Sequence, residues 1–239
     1  MKKVITILSF AFLALSAVAQ GDYNDLLELL VDEEYEKLLY KAEKYTLSDK
    51  TKKDALPYVY MSMAYYEISK RDEFAEKYPK AFKESLKYAA KFRSKDKEDM
   101  YYAEYTEFMD QLREGALQEA FPAMDQEKYT GAKLYYKYLV KLDENDPGAW
   151  LLQGFTEYML RSKKEAENSF AEAERIIDEG GCGRLTEVQM GIFKNSLILM
   201  CEGLVQAGES SLARKWMEKG LEFFKEDNEY LVTYDEIVG

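Results

Sequence analysis

The residues that could perform covalent or metal chemistry in this chain are few. The sequence contains no histidine and only two cysteines, Cys182 and Cys201. The missing histidine removes histidine nucleophile triads, histidine general bases and histidine-ligated metals from consideration. Carboxylate pairs could still hydrolyse glycosidic bonds, but the acidic side chains alternate with basic ones along predicted helix surfaces. We therefore predict no catalytic residue, no metal site and no cofactor, and we expect that the protein is not an enzyme.

The glycine-rich segment around Cys182 is the other place where chemistry could occur. Gly180, Gly181 and Gly183 flank this cysteine, but they do not match a phosphate-binding motif. Cys201 lies in a strongly helical stretch, so a disulfide would require the glycine segment to fold back along about four helical turns. A disulfide is chemically possible in an exported protein. We expect two free thiols instead.

The beginning of the chain has the features of a secretory signal peptide. Lys2 and Lys3 precede an apolar run over residues 4–15, and small residues follow up to Ala19. This order is typical of a cleaved signal, and the run is shorter than the ~20 residues of a membrane-spanning helix. The alternative is a buried N-terminal helix of the fold. We predict a signal peptide over residues 1–19 and a periplasmic or secreted protein with no membrane insertion after cleavage.

Composition indicates the fold class and disfavours one class of partner. The chain carries 45 Asp and Glu residues against 33 Lys and Arg residues, which gives a net charge of -12. Nucleic acid is a disfavoured partner because its phosphates would meet net repulsion. The sequence is rich in Lys, Glu, Leu, Ala and Tyr and has only four prolines, which favours helix over sheet.

Residues 147–175 have the spacing of two helices joined by a tight turn. Large, small and aromatic side chains occur on one face of each helix at positions that let the pair approach closely. These positions are Trp150, Gly154 and Tyr158 in the first helix and Ala166, Phe170 and Ala173 in the second. The pattern resembles the tetratricopeptide repeat. It departs from that family at Gln153, where leucine is preferred, and in lacking a proline after the second helix.

The same register recurs elsewhere in the chain. Its other copies are Ala116, Ala120 and Met124 with Ala132, Tyr136 and Leu139; Leu197, Cys201 and Val205 with Ala213, Met217 and Gly220; and, more loosely, Tyr58, Ser62 and Tyr66 with Ala81, Ser85 and Tyr88. Pro122 should kink or end one of the first helices. Thr186 and Gln189 form a predicted capping box that begins a long helix. Extra residues, including Pro79, enlarge the turn between Ile68 and Lys80.

The resemblance implies an all-α fold, a TPR-like helical-hairpin repeat array of about five helix pairs wound as a right-handed α-solenoid. We assign residues 20–95 to divergent N-terminal helical repeats and residues 96–225 to the TPR-like repeats. Residues 226–239 form a C-terminal tail, either a last short helix or a frayed end. The competing prediction is a helical bundle without repeats.

The resemblance also implies a binding surface. Tetratricopeptide proteins generally hold an extended or helical peptide on a concave wall that consists mainly of first helices. The corresponding candidate peptide-binding residues of this chain are Leu151, Phe155, Tyr158, Met159, Ile198, Glu202 and Val205. The alternative is that these residues pack against neighbouring helices and contact no ligand. We expect a scaffold or adaptor with a protein partner.

The abundance of tyrosine indicates a different binding function. The chain has 20 tyrosines, and three adjacent pairs stand out: Tyr65-Tyr66, Tyr101-Tyr102 and Tyr135-Tyr136. Exposed rings would stack on sugars in a soluble carbohydrate- or small-ligand-binding helical-repeat protein. The alternative is that one ring of each pair fills the core while the other is half-exposed, a position that suits tyrosine.

Overall fold

A computed structural model describes residues 23–239 of the chain. The predicted signal peptide and its cleavage site lie outside the described residues. Within them, about 80% of residues are in α-helices or short 3-10 turns, and no strand is present. The predicted all-α class is therefore confirmed for this part of the chain.

Eleven α-helices follow one another between Tyr23 and the C-terminus. Their bounds are α1 Asn24–Val31, α2 Tyr35–Leu47, α3 Leu56–Ser69, α4 Ala81–Lys95, α5 Thr106–Asp125, α6 Tyr129–Leu142, α7 Pro147–Met159, α8 Lys163–Asp178, α9 Glu187–Gln206, α10 Ser210–Phe224 and α11 Asn228–Val238. Short 3-10 turns lie in the longer connections, at Asp72–Phe74, Lys97–Asp99, Tyr102–Tyr105 and Gly181–Arg184.

The helices pack mainly against near neighbours in the chain. Consecutive helices form the pairs α1–α2, α3–α4, α5–α6, α7–α8 and α9–α10, and α11 packs against both α9 and α10. Between pairs, α2 contacts α3, α4 and α7 both contact α6, and α7 contacts α9. This order of contacts is compatible with a helical repeat array.

Small residues lie where the helices of a pair come closest. The small residue in the middle of each first helix is buried in all four copies of the register: Ser62, Ala120, Gly154 and Cys201. A Cβ atom added to Gly154 would lie 2.7 Å from Cδ1 of the Phe170 ring. The α7–α8 pair therefore depends on the missing side chain at this position.

Helix boundaries follow the sequence prediction with one correction. The sequence predicts that Pro122 kinks or ends its helix. Helix α5 continues through Pro122 to Asp125, so the alternative that the helix ends at this proline is wrong. The proline leaves the carbonyl of Gln118 without its usual helical donor, but both residues are exposed and water can replace that bond. At the C-terminus, the last short helix is confirmed as α11, which Asp227 caps by accepting the Tyr230 N–H at 3.0 Å.

Buried apolar side chains form two clusters. An N-terminal cluster joins α1, α2 and much of α3 to Ala81, and a larger main cluster extends from Ala55 to Tyr230. Leu56 and Tyr88 contact both clusters. The clusters therefore meet where α3 packs against α4.

Helix α9 lies at the centre of the main cluster. Its start is the predicted capping box, confirmed by the Thr186 hydroxyl accepting from the Gln189 backbone at 3.1 Å while the Gln189 side chain accepts from the Thr186 N–H. Among the described helices, α9 alone is long and apolar enough, by length and composition, to cross a membrane. It packs against α5, α7, α10 and α11, and it buries Phe193 and Leu197.

Candidate functional site

Helices α7 and α9 lie side by side and run in the same direction. At their beginnings, a Cβ atom added to Gly148 would lie 2.7 Å from the backbone nitrogen of Phe193. Towards their ends, the Phe155 ring lies directly against Gly203. Because the two beginnings are in contact and the two ends are in contact, α7 and α9 are parallel. Each is the first helix of its pair, and together they form a continuous wall.

The seven candidate binding residues fall into two groups on this wall. Leu151 and Phe155 are only 0% and 4% exposed, so the packing alternative describes them and they offer no surface to a ligand. Tyr158, Met159 and Ile198 are half-buried, whereas Glu202 and Val205 are exposed. We call these five residues the α7–α9 surface: Tyr158, Met159, Ile198, Glu202 and Val205. A binding role for them stays a prediction.

Two further side chains were missed by the sequence prediction. Glu209, in the turn between α9 and α10, accepts a hydrogen bond from the Tyr158 hydroxyl at 3.4 Å. Desolvation, helped by the Glu209 charge, raises the pKa of Tyr158, so its phenol is neutral at physiological pH. Phe121 on α5 is an exposed large apolar side chain, at 37%. Glu209 lies outside the repeat pattern, and the spacing of residues in the repeat does not indicate that Phe121 is exposed.

Four rings of the adjacent tyrosine pairs, those of Tyr65, Tyr102, Tyr135 and Tyr136, do not present open stacking faces. Tyr135 and Tyr136 are both buried. The Tyr65 ring stacks on Tyr88 with their centroids 5.5 Å apart, and the Arg93 guanidinium lies 3.7 Å from the centroid of Tyr102. Since these rings contact other side chains of the protein, they serve mainly as packing elements.

A second surface feature lies between α4 and α6. The Lys83 ammonium lies 5.5 Å from the Tyr135 ring centroid, and further along both helices Arg93 Nε donates to the Leu142 carbonyl at 2.8 Å. The two helices therefore also run in the same direction. Between them lies a groove of about 560 Å³, with Lys87, Lys91, Tyr138 and Lys141 among its lining residues. We call it the α4–α6 groove.

A buried polar network holds α5, α7 and α9 together. The guanidinium of Arg113 is buried and donates to Asp110 Oδ1 at 2.8 Å and to the Tyr102 hydroxyl at 2.7 Å. Its Nε lies 3.9 Å from Asp146 Oδ2. Asp146 caps α7 by accepting the Ala149 N–H at 3.2 Å, and Gln189 at the start of α9 donates to it at 3.3 Å.

This network contains one carboxyl group with a strongly shifted pKa. Burial raises the pKa of Asp146 to about 6, although the Arg113 charge and the Ala149 N–H act in the opposite direction. Desolvation dominates because the carboxyl group has no contact with water. It lies at the junction of α5, α7 and α9 and holds the start of α7 beside the start of α9.

The two cysteines are free and buried. Desolvation raises the pKa of Cys182 to about 11 and that of Cys201 to about 12. Both side chains are therefore neutral thiols at physiological pH, unlike the low-pKa thiolates of reactive cysteines. Among residues 23–239, no group of three or more Cys, Asp and Glu side chains is placed to hold a metal ion.

The α7–α9 surface and the α4–α6 groove are thus two features of residues 23–239 that offer side chains to a ligand. The resemblance to the tetratricopeptide repeat rests on residue spacing inside this chain and on the order of its helix contacts. No protein-family model matches the sequence, and no curated protein matches it.

Proposed function

We propose that the protein is an exported scaffold or adaptor that binds a peptide segment of another protein on the α7–α9 surface. One observation carries this proposal: apolar side chains remain open on two parallel, tightly packed helices. Tyr158, Met159 and Ile198 are half-exposed and Val205 is 39% exposed, while their neighbours Leu151 and Phe155 are buried.

The chemistry of this surface suits an amphipathic segment. An amphipathic helix or an extended peptide can place apolar side chains against the open apolar side chains of such helices. Methionine adapts its shape to different partners, and tyrosine offers an apolar ring with a polar edge. Glu202 and Glu209 lie beside these residues, so a partner segment with a basic residue next to its apolar ones is favoured.

Export is part of the proposal and rests on the N-terminal sequence. The basic start, short apolar run and small residues before Gln20 support a cleaved signal and a periplasmic or secreted location. N-terminal sequencing of the protein from its native host tests this point. A chain that begins at Gln20 supports export, whereas one that begins at Met1 contradicts it.

The binding proposal is tested by recovering partners from cross-linked envelopes with the tagged mature protein. The decisive variant is Tyr158→Ala with Val205→Ala, which removes two partly open side chains from the surface. The matched control is Tyr40→Ala with Leu47→Ala on α2, which removes a tyrosine and an aliphatic side chain that are 64% and 74% exposed. We expect one partner to be recovered with the wild type and the control and lost with the first variant.

Two results would count against the proposal. A partner recovered equally with both variants would place binding elsewhere on the molecule. No protein partner, together with thermal stabilisation of the protein by a sugar or another small ligand, would support the carbohydrate-binding alternative.

A further inference from the structure

Charge is unevenly distributed among the helices. Helices α4 and α6 carry five and three basic residues, against the single acidic residue Glu84. Helix α5 carries five acidic residues and only Arg113 as a basic one. In a chain with a net charge of -12, the lining of the α4–α6 groove holds a small excess of basic residues, four against three acidic ones.

Three lysines in or beside this groove have no acidic partner. Lys83, Lys91 and Lys141 form no ion pair with any carboxylate in residues 23–239, whereas Lys87 is paired with Glu84 at 2.6 Å. The Lys91 ammonium lies 4.9 Å from the Tyr88 ring centroid, and that of Lys83 lies 5.5 Å from the Tyr135 ring centroid. Tyrosine rings thus hold these ammonium groups beside the groove without neutralising them.

The acidic residues near the groove lie at one end of it. They are Asp99, Asp143 and Glu144. Arg93 donates to Asp99 at 2.8 Å, and Gln189 donates to Asp143 at 3.0 Å. Arg93 therefore balances the charge of Asp99, whereas Asp143 keeps its charge because Gln189 is neutral. The basic side chains away from this end lie on α4, from Lys83, which precedes the lining residues by one helical turn, to Lys91 in the lining.

The lysine spacing matches an extended chain. Lys83, Lys87 and Lys91 are four residues apart on α4, so successive ammonium groups are spaced by about 6 Å along the helix. Alternate side chains of an extended peptide are about 6.7 Å apart. Because Lys87 is already paired with Glu84, two carboxylates of an alternating peptide that lie four positions apart, about 13 Å, would approach Lys83 and Lys91, which are about 12 Å apart. Ala90 and Tyr138 line the groove for other side chains.

We propose that the α4–α6 groove binds an extended acidic peptide segment with carboxylates at alternate positions. The site uses different helices from the α7–α9 surface and does not depend on it. The structure would then offer two surfaces of different chemistry: one for apolar side chains and one for acidic side chains.

The test uses a fluorescein-labelled peptide of alternating Glu and Thr residues and an isomer with the same composition but contiguous Glu residues. Fluorescence anisotropy is measured with the wild type, with Lys83→Gln, Lys91→Gln and Lys141→Gln combined, and with a control triple variant. The control is Lys50→Gln, Lys164→Gln and Lys225→Gln, which removes three exposed lysines without ion pairs from other parts of the described chain and changes the net charge equally.

We expect the alternating peptide to bind the wild type more tightly than its isomer. The groove variant should lose affinity about tenfold, as the loss of three exposed ion pairs predicts, and the control should stay within about twofold. Binding should weaken as salt rises. A single Lys91→Gln variant should give a smaller loss, and thermal unfolding verifies that each variant is folded.

Three results would overturn the proposal. Equal losses in both triple variants would show that net charge alone attracts the peptide. If the wild type does not bind the alternating peptide at low salt, the groove is not a site for acidic peptides. Tighter binding of polygalacturonate or of anionic vesicles than of the peptide, lost in the groove variant, would assign the groove to a different class of ligand.

Discussion

In the α3–α4 pair the helices meet at two serines, whereas in the α7–α8 pair they meet at a glycine and a phenylalanine. The Ser62 hydroxyl donates to the Ser85 carbonyl at 2.8 Å, and the Ser85 hydroxyl donates to the Ser62 carbonyl at 2.8 Å. In the other pair, the Phe170 ring fills the space that a Gly154 side chain would occupy. Ser62 and Ser85 stand where the sequence register places Gly154 and Phe170.

The difference shows that the register preserves close approach and not a particular residue. Where α3 packs against α4, two small serines allow a close approach, and each hydroxyl donates a hydrogen bond to the carbonyl of the other serine. Where α7 packs against α8, the glycine leaves a space that the phenylalanine ring fills. The resemblance to a known repeat depends on glycine and phenylalanine, so it is clear in α7–α8 and weak in α3–α4. A search for this pattern therefore misses helix pairs whose close contact depends on hydrogen bonds between small residues.

Replacing the Gly154–Phe170 contact with a serine pair like that of α3–α4 should have the largest effect on stability. Gly154→Ser places a Cβ 2.7 Å from the Phe170 ring and should cost about 2 kcal/mol, and Phe170→Ser should cost about 3 kcal/mol through lost burial. The double variant should cost at least about 1 kcal/mol less than their sum, because the clash disappears and a serine pair can form. Urea unfolding of the four proteins measures this coupling. If the losses of stability in the two single variants simply add up in the double variant, the proposed contact between residues 154 and 170 is contradicted.

The N-terminal ends of α3 and α7, the first helices of the two pairs, also differ. Helix α7 begins with the buried cap Asp146, whereas no side-chain hydrogen bond caps α3. The pKa of Asp146 is raised to about 6 from an ordinary value of 3.8, so the folded chain holds this proton more tightly than the unfolded chain. Its contribution to stability therefore rises as pH falls from above 6 to below 4.

Asp146→Asn tests this contribution while retaining a capping side chain. Relative to the variant, the wild type should gain about 2–3 kcal/mol between pH 7.5 and pH 3.5, measured by urea unfolding at several pH values. Asp96, another buried carboxyl with a raised pKa, is present in both proteins and cancels in the difference. Parallel pH profiles, or a wild type that loses stability relative to the variant as pH falls, would contradict the assignment.

The serine pair should show the smallest effect. Ser62→Ala removes one hydroxyl and should lower stability by about 1 kcal/mol. Adding Ser85→Ala should cost less than the first change, because replacing both partners leaves no buried hydroxyl without a partner. Thermal unfolding of the two variants and the wild type measures both steps. A second loss as large as the first would show that the hydroxyls act independently.

The sequence predicted features that depend on local chemistry. The Thr186 capping box, the small residue at Gly154 and the short helices at both ends of the described chain are local signals, and all are present. The exposure of the candidate site was harder to predict. Leu151 and Phe155 lie on helix α7, which contacts α6, α8 and α9, so most of its circumference is covered.

The α4–α6 groove was missed for a related reason. The lysines of α4 are visible in the sequence, but their meaning depends on α6 lying parallel to α4 across the connecting residues and α5. Charge along one helix indicates a solvated face, whereas charge on both sides of a groove indicates a possible ligand. Only the packing distinguishes these two cases.

The most direct test of the central claim is photo-crosslinking from the α7–α9 surface. A photoreactive phenylalanine analogue replaces Val205 in one protein and Tyr40 in another, since both positions are exposed but lie on different helices. Each protein is irradiated in the envelope of its native host. The account predicts a protein adduct from position 205 that is absent from position 40. Adducts at neither position, or the same adducts at both, would contradict a specific binding role for this surface.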